Sequence, residues 1–183
     1  THGLEQFRSL HTALCFFVPT YGQPGGGFSQ SQSEGLLGWI ETNHPNETKP
    51  KITLYNFLIG RSWALADYRV LRASDDPQNL PYLHNFSESN VGQPVEQFEF
   101  NGQYFSRSSL NYLLGLAMLK KHLNGEVPQN VLEIGGGFGT LGEILANSGI
   151  SDLHYIDIDI PPTSFVAQYY LSKVLGKASV ATY

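Results

Sequence analysis

The chain has 183 residues, 41% of them hydrophobic and 13% aromatic, and a formal net charge of −5. That length fits one domain, or one domain with an extension, and the composition is that of a globular chain rather than a disordered one. With no basic cluster beyond Lys120-Lys121, the acidic balance leaves no electrostatic footprint for a phosphate backbone and argues against nucleic acid as a partner.

Thr1 in place of Met reads as a missing upstream segment, and no signal peptide is visible. The longest apolar runs, such as Ala13 to Val18, fall far short of the roughly 18 residues of a membrane span, so no membrane association is expected. The single cysteine, Cys15, has no partner for an internal disulfide, which fits a reducing, cytoplasmic setting. Turn chemistry at Gly22 to Gly27 and at His44-Pro45-Asn46 allows only short elements before residue 52. Asn46-Glu47-Thr48 and Asn85-Phe86-Ser87 match the glycosylation triplet by chance, since nothing else points to secretion.

From Ile52 to Arg72 the residues Ile52, Tyr55, Leu58, Ile59, Trp63, Ala66 and Val70 recur at three- and four-residue intervals, predicting one amphipathic helix that Asp75-Asp76-Pro77 stops. The charged neighbours Arg61, Asp67 and Arg69 read as its exposed face. Val95 to Phe100 and Gln103 to Ser106 flank Asn101-Gly102, whose tolerance of positive φ predicts a hairpin with a type I′ turn. Its aromatics Phe98, Phe100, Tyr104 and Phe105 read as core before they read as the floor of a ligand site. A second helix is expected from about Arg107 to Leu123, with Leu110, Leu113, Leu114, Ala117 and Met118 buried and Gly125 past its end.

After residue 126 the rhythm changes. Val131 to Ile134 predicts a buried strand, Gly135 to Gly139 a loop, Thr140 to Asn147 a helix, Leu153 to Asp159 a second strand and Pro162 to Leu175 another helix before Gly176. Val180 to Tyr183 would begin a third strand. This alternation predicts an α/β unit with a parallel sheet over 127–183, preceded by a mainly helical region over 1–126 with a hairpin near 95–106.

Glu133, Gly135, Gly137 and Gly139 spell E-x-G-x-G-x-G between a strand and a helix, with Gly136 between the first two glycines. Glycines remove side chains where the backbone must bend sharply and approach a ligand, and the following helix turns unpaired amides toward it. The second strand ends in Asp157 and Asp159, about 20 residues on, the spacing at which a carboxylate reaches both hydroxyls of a ribose. Asp159 is the first choice and Asp157, on the same face, the second. Gly137-Phe138-Gly139-Thr140-Leu141-Gly142 also satisfies the dinucleotide pattern G-x-G-x-x-G, but that register leaves Gly135 and Gly136 as an unexplained insertion. The first register uses every glycine and has an acidic residue where S-adenosylmethionine-binding loops carry one.

Glu133 to Leu145, EIGGGFGTLGEIL, and Tyr155 to Leu171, YIDIDIPPTSFVAQYYL, resemble the sugar O-methyltransferase family, a branch of the class I S-adenosylmethionine-dependent enzymes. Asn111 to Leu123, NYLLGLAMLKKHL, is similar to what precedes the glycine loop there, so the resemblance covers about residues 95 to 183. It implies a Rossmann-like, mostly parallel seven-stranded sheet, of which this chain carries the N-terminal part and is C-terminally truncated. It also implies S-adenosylmethionine as cofactor and a sugar hydroxyl as methyl acceptor.

Methyl transfer to a hydroxyl depends on holding three atoms in line, with a general base taking the proton. None of His2, His11, His44, His84, His122 and His154 has a partner legible in the sequence, so the catalytic base is unassigned. His122 reads as a helix-end residue, and His154 as a residue opening a strand next to the loop. No His or carboxylate spacing suggests a metal. Two further readings stand beside the enzyme: a non-catalytic methyltransferase-fold fragment or protein-contact module, and an NAD(P)-dependent sugar oxidoreductase.

Overall fold

A computed structural model describes residues 2–9, 30–123 and 125–182. Cys15, His11, the run Ala13 to Val18, the glycine-rich turn Gly22 to Gly27, and Tyr183 lie outside the described residues. The chain is mixed α/β, with one antiparallel and one parallel strand pair. Its helices are α1 (His2–Glu5), α2 (Gln30–Asn43), α3 (Thr48–Leu58), α4 (Arg61–Ser74), α5 (Arg107–His122), α6 (Thr140–Ala146) and α7 (Thr163–Leu175). The strands are β1 (Phe98–Phe100), β2 (Gln103–Phe105), β3 (Asn130–Ile134) and β4 (His154–Ile158). Among the described residues no helix is long and apolar enough to cross a membrane.

The single helix expected over Ile52 to Arg72 is two, α3 and α4. Gly60 takes φ 82°, a left-handed geometry that ends one helix and starts the next at Arg61. The buried face differs too. Trp63 and Val70 are exposed, whereas Ala64, Tyr68 and Leu71 face inward. The reason is tertiary: the Tyr68 ring stacks on Phe100 at 5.0 Å and leans on Phe105 at 5.3 Å, so the hairpin selects which row of α4 is covered.

The hairpin forms at the expected turn, with Asn101 at φ 52° and Gly102 at φ 78° and Phe98 opposite Phe105. Phe98, Phe100 and Phe105 are core and Tyr104 is exposed. Ser106 then caps α5, accepting from the Ser109 N–H while the Ser109 hydroxyl accepts from the Ser106 N–H. Leu110, Leu113 and Ala117 are buried and Leu114 is partly so, but Met118, expected inside, is 63% exposed. One cluster joins α4, the hairpin, α5 and Ile144 of α6; a second joins Phe7, Phe138, Val166, Tyr170 and Leu171.

β3 and β4 run parallel, pairing Leu132 with Ile156, Glu133 with Asp157 and Ile134 with Ile158. Side chains alternate between faces. Val131, Glu133, Tyr155 and Asp157 turn to one face, where Tyr112 of α5 bonds Glu133 and the Tyr155 ring lies under Gly142 of α6. Leu132, Ile134, Ile156, Ile158 and, just beyond the strand, Ile160 stand exposed on the other. The strand expected to be buried therefore has an open apolar face. Residues 180–182 form no third strand; Lys177–Ser179 is a short 3-10 turn after α7.

Candidate functional site

The loop Gly135 to Gly139 leaves the C-terminal end of β3 and enters α6. Gly135, Gly137 and Gly139 all take positive φ, at 75°, 67° and 97°. At Gly137 this aims the main-chain N–H at the end of β4, where it donates to Asp159 Oδ2 at 3.0 Å. Gly136 is required for a different reason: a Cβ there would stand 2.6 Å from Asp157 Oδ1 and 2.7 Å from Glu133 Oε2. Its N–H donates to Asp157 Oδ1 at 3.2 Å. Gly135 extends the ladder, donating to the Ile158 carbonyl at 2.8 Å, and Gly139 caps α6 against Leu171.

The structure thus brings together all seven residues singled out from the sequence: Glu133, Gly135, Gly136, Gly137, Gly139, Asp157 and Asp159. Their roles differ in detail. Glu133 Oε1 accepts from the Tyr112 hydroxyl at 2.9 Å and Oε2 from the Tyr155 hydroxyl, so each oxygen is engaged by a phenol. Glu133 is thereby fixed in place at the base of the loop. Asp159 uses Oδ1 to accept from the Ile160 N–H at 2.7 Å and Oδ2 for Gly137, which locks its rotamer at the strand end.

The proximity of the three carboxylates is felt at Asp157. Burial raises the Asp157 carboxyl above its ordinary range, the Gly136 N–H opposes this, and the charges of Glu133 and Asp159 raise it further. The Tyr155 hydroxyl is pushed up by burial, then by its bond to Glu133 and that carboxylate's charge. It stays a proton donor throughout the physiological range.

Among the described residues, none of His44, His84, His122 and His154 joins this cluster. His154 opens β4 as expected, pairing with Asn130 at the end of the sheet opposite the loop. Its Nδ1 and that of His122 contact the Asp152 and Met118 carbonyls, both exposed. Trp63 is exposed beside Phe57, while Arg61 lies 5.0 Å from the Phe100 centroid. Among the described residues no three His, Cys, Asp or Glu side chains are grouped to hold a metal ion.

Sequence reasoning missed the groups that brace the site. Tyr155 shares a face with Asp157 by the two-residue period of a strand, a legible signal, but its partner Tyr112 lies 21 residues from Glu133 on another element. Arg8, Glu88, Glu143 and Tyr170 form a buried polar cluster behind the loop. Glu143 accepts from the Ser89 N–H at 2.9 Å and from the Tyr170 hydroxyl, and Arg8 ion-pairs with Glu88. The one local sign was a glutamate inside the apolar run TLGEILA of α6. No family model, no curated protein and no solved structure matches the chain.

Proposed function

We propose that β3, the glycine loop, α6 and β4 are the cofactor unit of a Rossmann-like, S-adenosylmethionine-dependent O-methyltransferase domain. The observation that carries this is the set of carboxylates Glu133, Asp157 and Asp159 gathered around the amides of Gly136 and Gly137. A dinucleotide would bring a pyrophosphate to this loop, and three carboxylates in a half-buried site repel it. A cofactor that carries cationic groups and a single ribose suits the same field. On the side away from those carboxylates the loop is open, with nothing within 4 Å of where a Cβ on Gly135 or Gly137 would point.

S-adenosylmethionine supplies an activated methyl group on a sulfonium. Asp159 would take the ribose hydroxyls, with Asp157 behind it and the main chain at Gly135 to Gly137 lining the cofactor. Glu133, held by two phenols, fixes the negative charge of the cradle without itself moving. The sugar hydroxyl as acceptor rests on the resemblance of the loop and of the Asp159-Ile160-Pro161-Pro162 turn.

A second reading, a protein-contact module built on the same fold, is favoured by the open apolar face of β3 and β4. Calorimetry with S-adenosylhomocysteine and with NAD separates these readings. The methyltransferase reading expects binding of S-adenosylhomocysteine alone, weakened about tenfold or more in Asp159→Ala by loss of a charge-assisted bond. No binding of S-adenosylhomocysteine, or binding indifferent to Asp159→Ala and Gly137→Val, overturns it.

A further inference from the structure

Between Gly135 and Gly139 only Phe138 has a side chain. A run of glycines has little stiffness of its own, so this ring is the loop's own side-chain anchor, on the side away from the carboxylates that hold the Gly136 and Gly137 amides. It is held from behind by residues far earlier in the sequence. Phe138 is buried, with Tyr170 edge-on at 5.0 Å and Phe7 edge-on at 5.4 Å, and the Arg8 guanidinium lies 4.9 Å from its centroid.

Arg8 is 1% exposed and held through both its side chain and its backbone. Its guanidinium donates to the Ser89 carbonyl at 3.1 Å and pairs with Glu88, its N–H donates to the Gly92 carbonyl at 2.8 Å, and its carbonyl accepts from Val95 at 3.2 Å. Phe7 lies so close to Gly92 that a Cβ there would be 2.4 Å from the ring. A buried guanidinium is a costly way to fill a core, and apolar replacements of similar volume are often neutral in stability. What it adds over an apolar side chain is a planar group whose hydrogen bonds fix its orientation over a ring.

We propose that Phe7 and Arg8 form a positioning clamp that acts through Phe138 to hold the glycine loop in its ligand-receiving shape, so that docking of residues 2–9 controls affinity at the loop. The affinity part rests on the cofactor reading above; the loop-order part does not.

The test is amide hydrogen exchange in the full chain, with S-adenosylhomocysteine affinity read in parallel. The variants are Arg8→Met and Phe138→Leu, with Phe98→Leu in the other core cluster as the control for general destabilisation. Exchange at Gly136 and Gly137 is expected to rise about tenfold in both clamp variants and not in the control, with a matching loss of affinity. Loop exchange unchanged in the clamp variants, or raised equally in the control, overturns the clamp. A loop loosened by both variants in a chain that never binds S-adenosylhomocysteine supports the clamp and overturns the cofactor reading. If Arg8→Met does not fold, Phe138→Leu decides, because it keeps the buried ion pair intact.

Discussion

Glu143 lies in the first turn of α6 with 1% of its surface exposed. Burial pushes its carboxyl up to about 7, the Tyr170 hydroxyl opposes this, and the Glu88 charge adds to it. The folded chain therefore keeps this proton up to about pH 7, while the unfolded chain loses it near the ordinary value of 4.5. Stability from this group is complete below the lower value and falls as pH rises through the higher one, by roughly 3 kcal/mol in all. Glu96 and Asp157, also raised by burial, slope the same way. Urea midpoints are expected to drop between pH 5 and 7.5 in the native chain and to flatten markedly in Glu143→Gln; an unaltered slope in that variant would place the effect elsewhere. At this scale legibility followed distance along the chain. Glu133, Asp157 and Asp159 sit on strands whose period declares their face. Glu143 finds Ser89 across 54 residues and Arg8 finds Glu88 across 80, so no local pattern announces either pair.

Among the elements, α5 depends most on one residue. Ser106 is fully buried, caps the helix and donates to Glu88 Oε1 at 3.1 Å. Ser106→Ala removes the cap and one donor to a buried carboxylate together, an expected cost of about 2 kcal/mol by thermal or chemical unfolding. A loss below a few tenths would mean that Ser109 and Glu88 hold the helix start unaided. The hairpin, α5 and the series β3, α6, β4, α7 were all readable, because Asn101-Gly102, the apolar spacing before Gly125 and the glycine loop are strong local signals, whereas Ser106 read as strand and proved to be the cap of α5. The break between α3 and α4 was not, since the apolar spacing runs through Gly60 without interruption. The buried row of α4 was hidden for a related reason: Trp63 and Val70 are as apolar as Leu71, and only the hairpin's position selects among them.

At the scale of the molecule, Leu132, Ile134, Ile156, Ile158 and Ile160 form a contiguous exposed stripe on a parallel pair, an arrangement that parallel sheets ordinarily cover on both faces. The chain is expected to bind a hydrophobic dye such as anilinonaphthalene sulfonate in its folded state. The double variant Ile134→Thr, Ile158→Thr should lower that fluorescence severalfold while changing stability by less than about 1 kcal/mol, because exposed side chains contribute little packing. Undiminished dye binding would locate the apolar surface elsewhere. The parallel pairing was legible from the strand-helix rhythm, but which face lies open depends on where α5, α6 and α7 pack.

The packing of Phe7 on Tyr170, 6.0 Å between ring centroids, also orders events in time. A contact spanning most of the chain is reached only after its closure entropy has been met, so it forms late relative to the hairpin and α5. During synthesis Arg8 and Glu88 emerge long before the Tyr170 ring that helps enclose them. The back wall of the glycine loop is thus completed by segments far apart in sequence meeting late, and a folding defect in either would be felt at the loop between them.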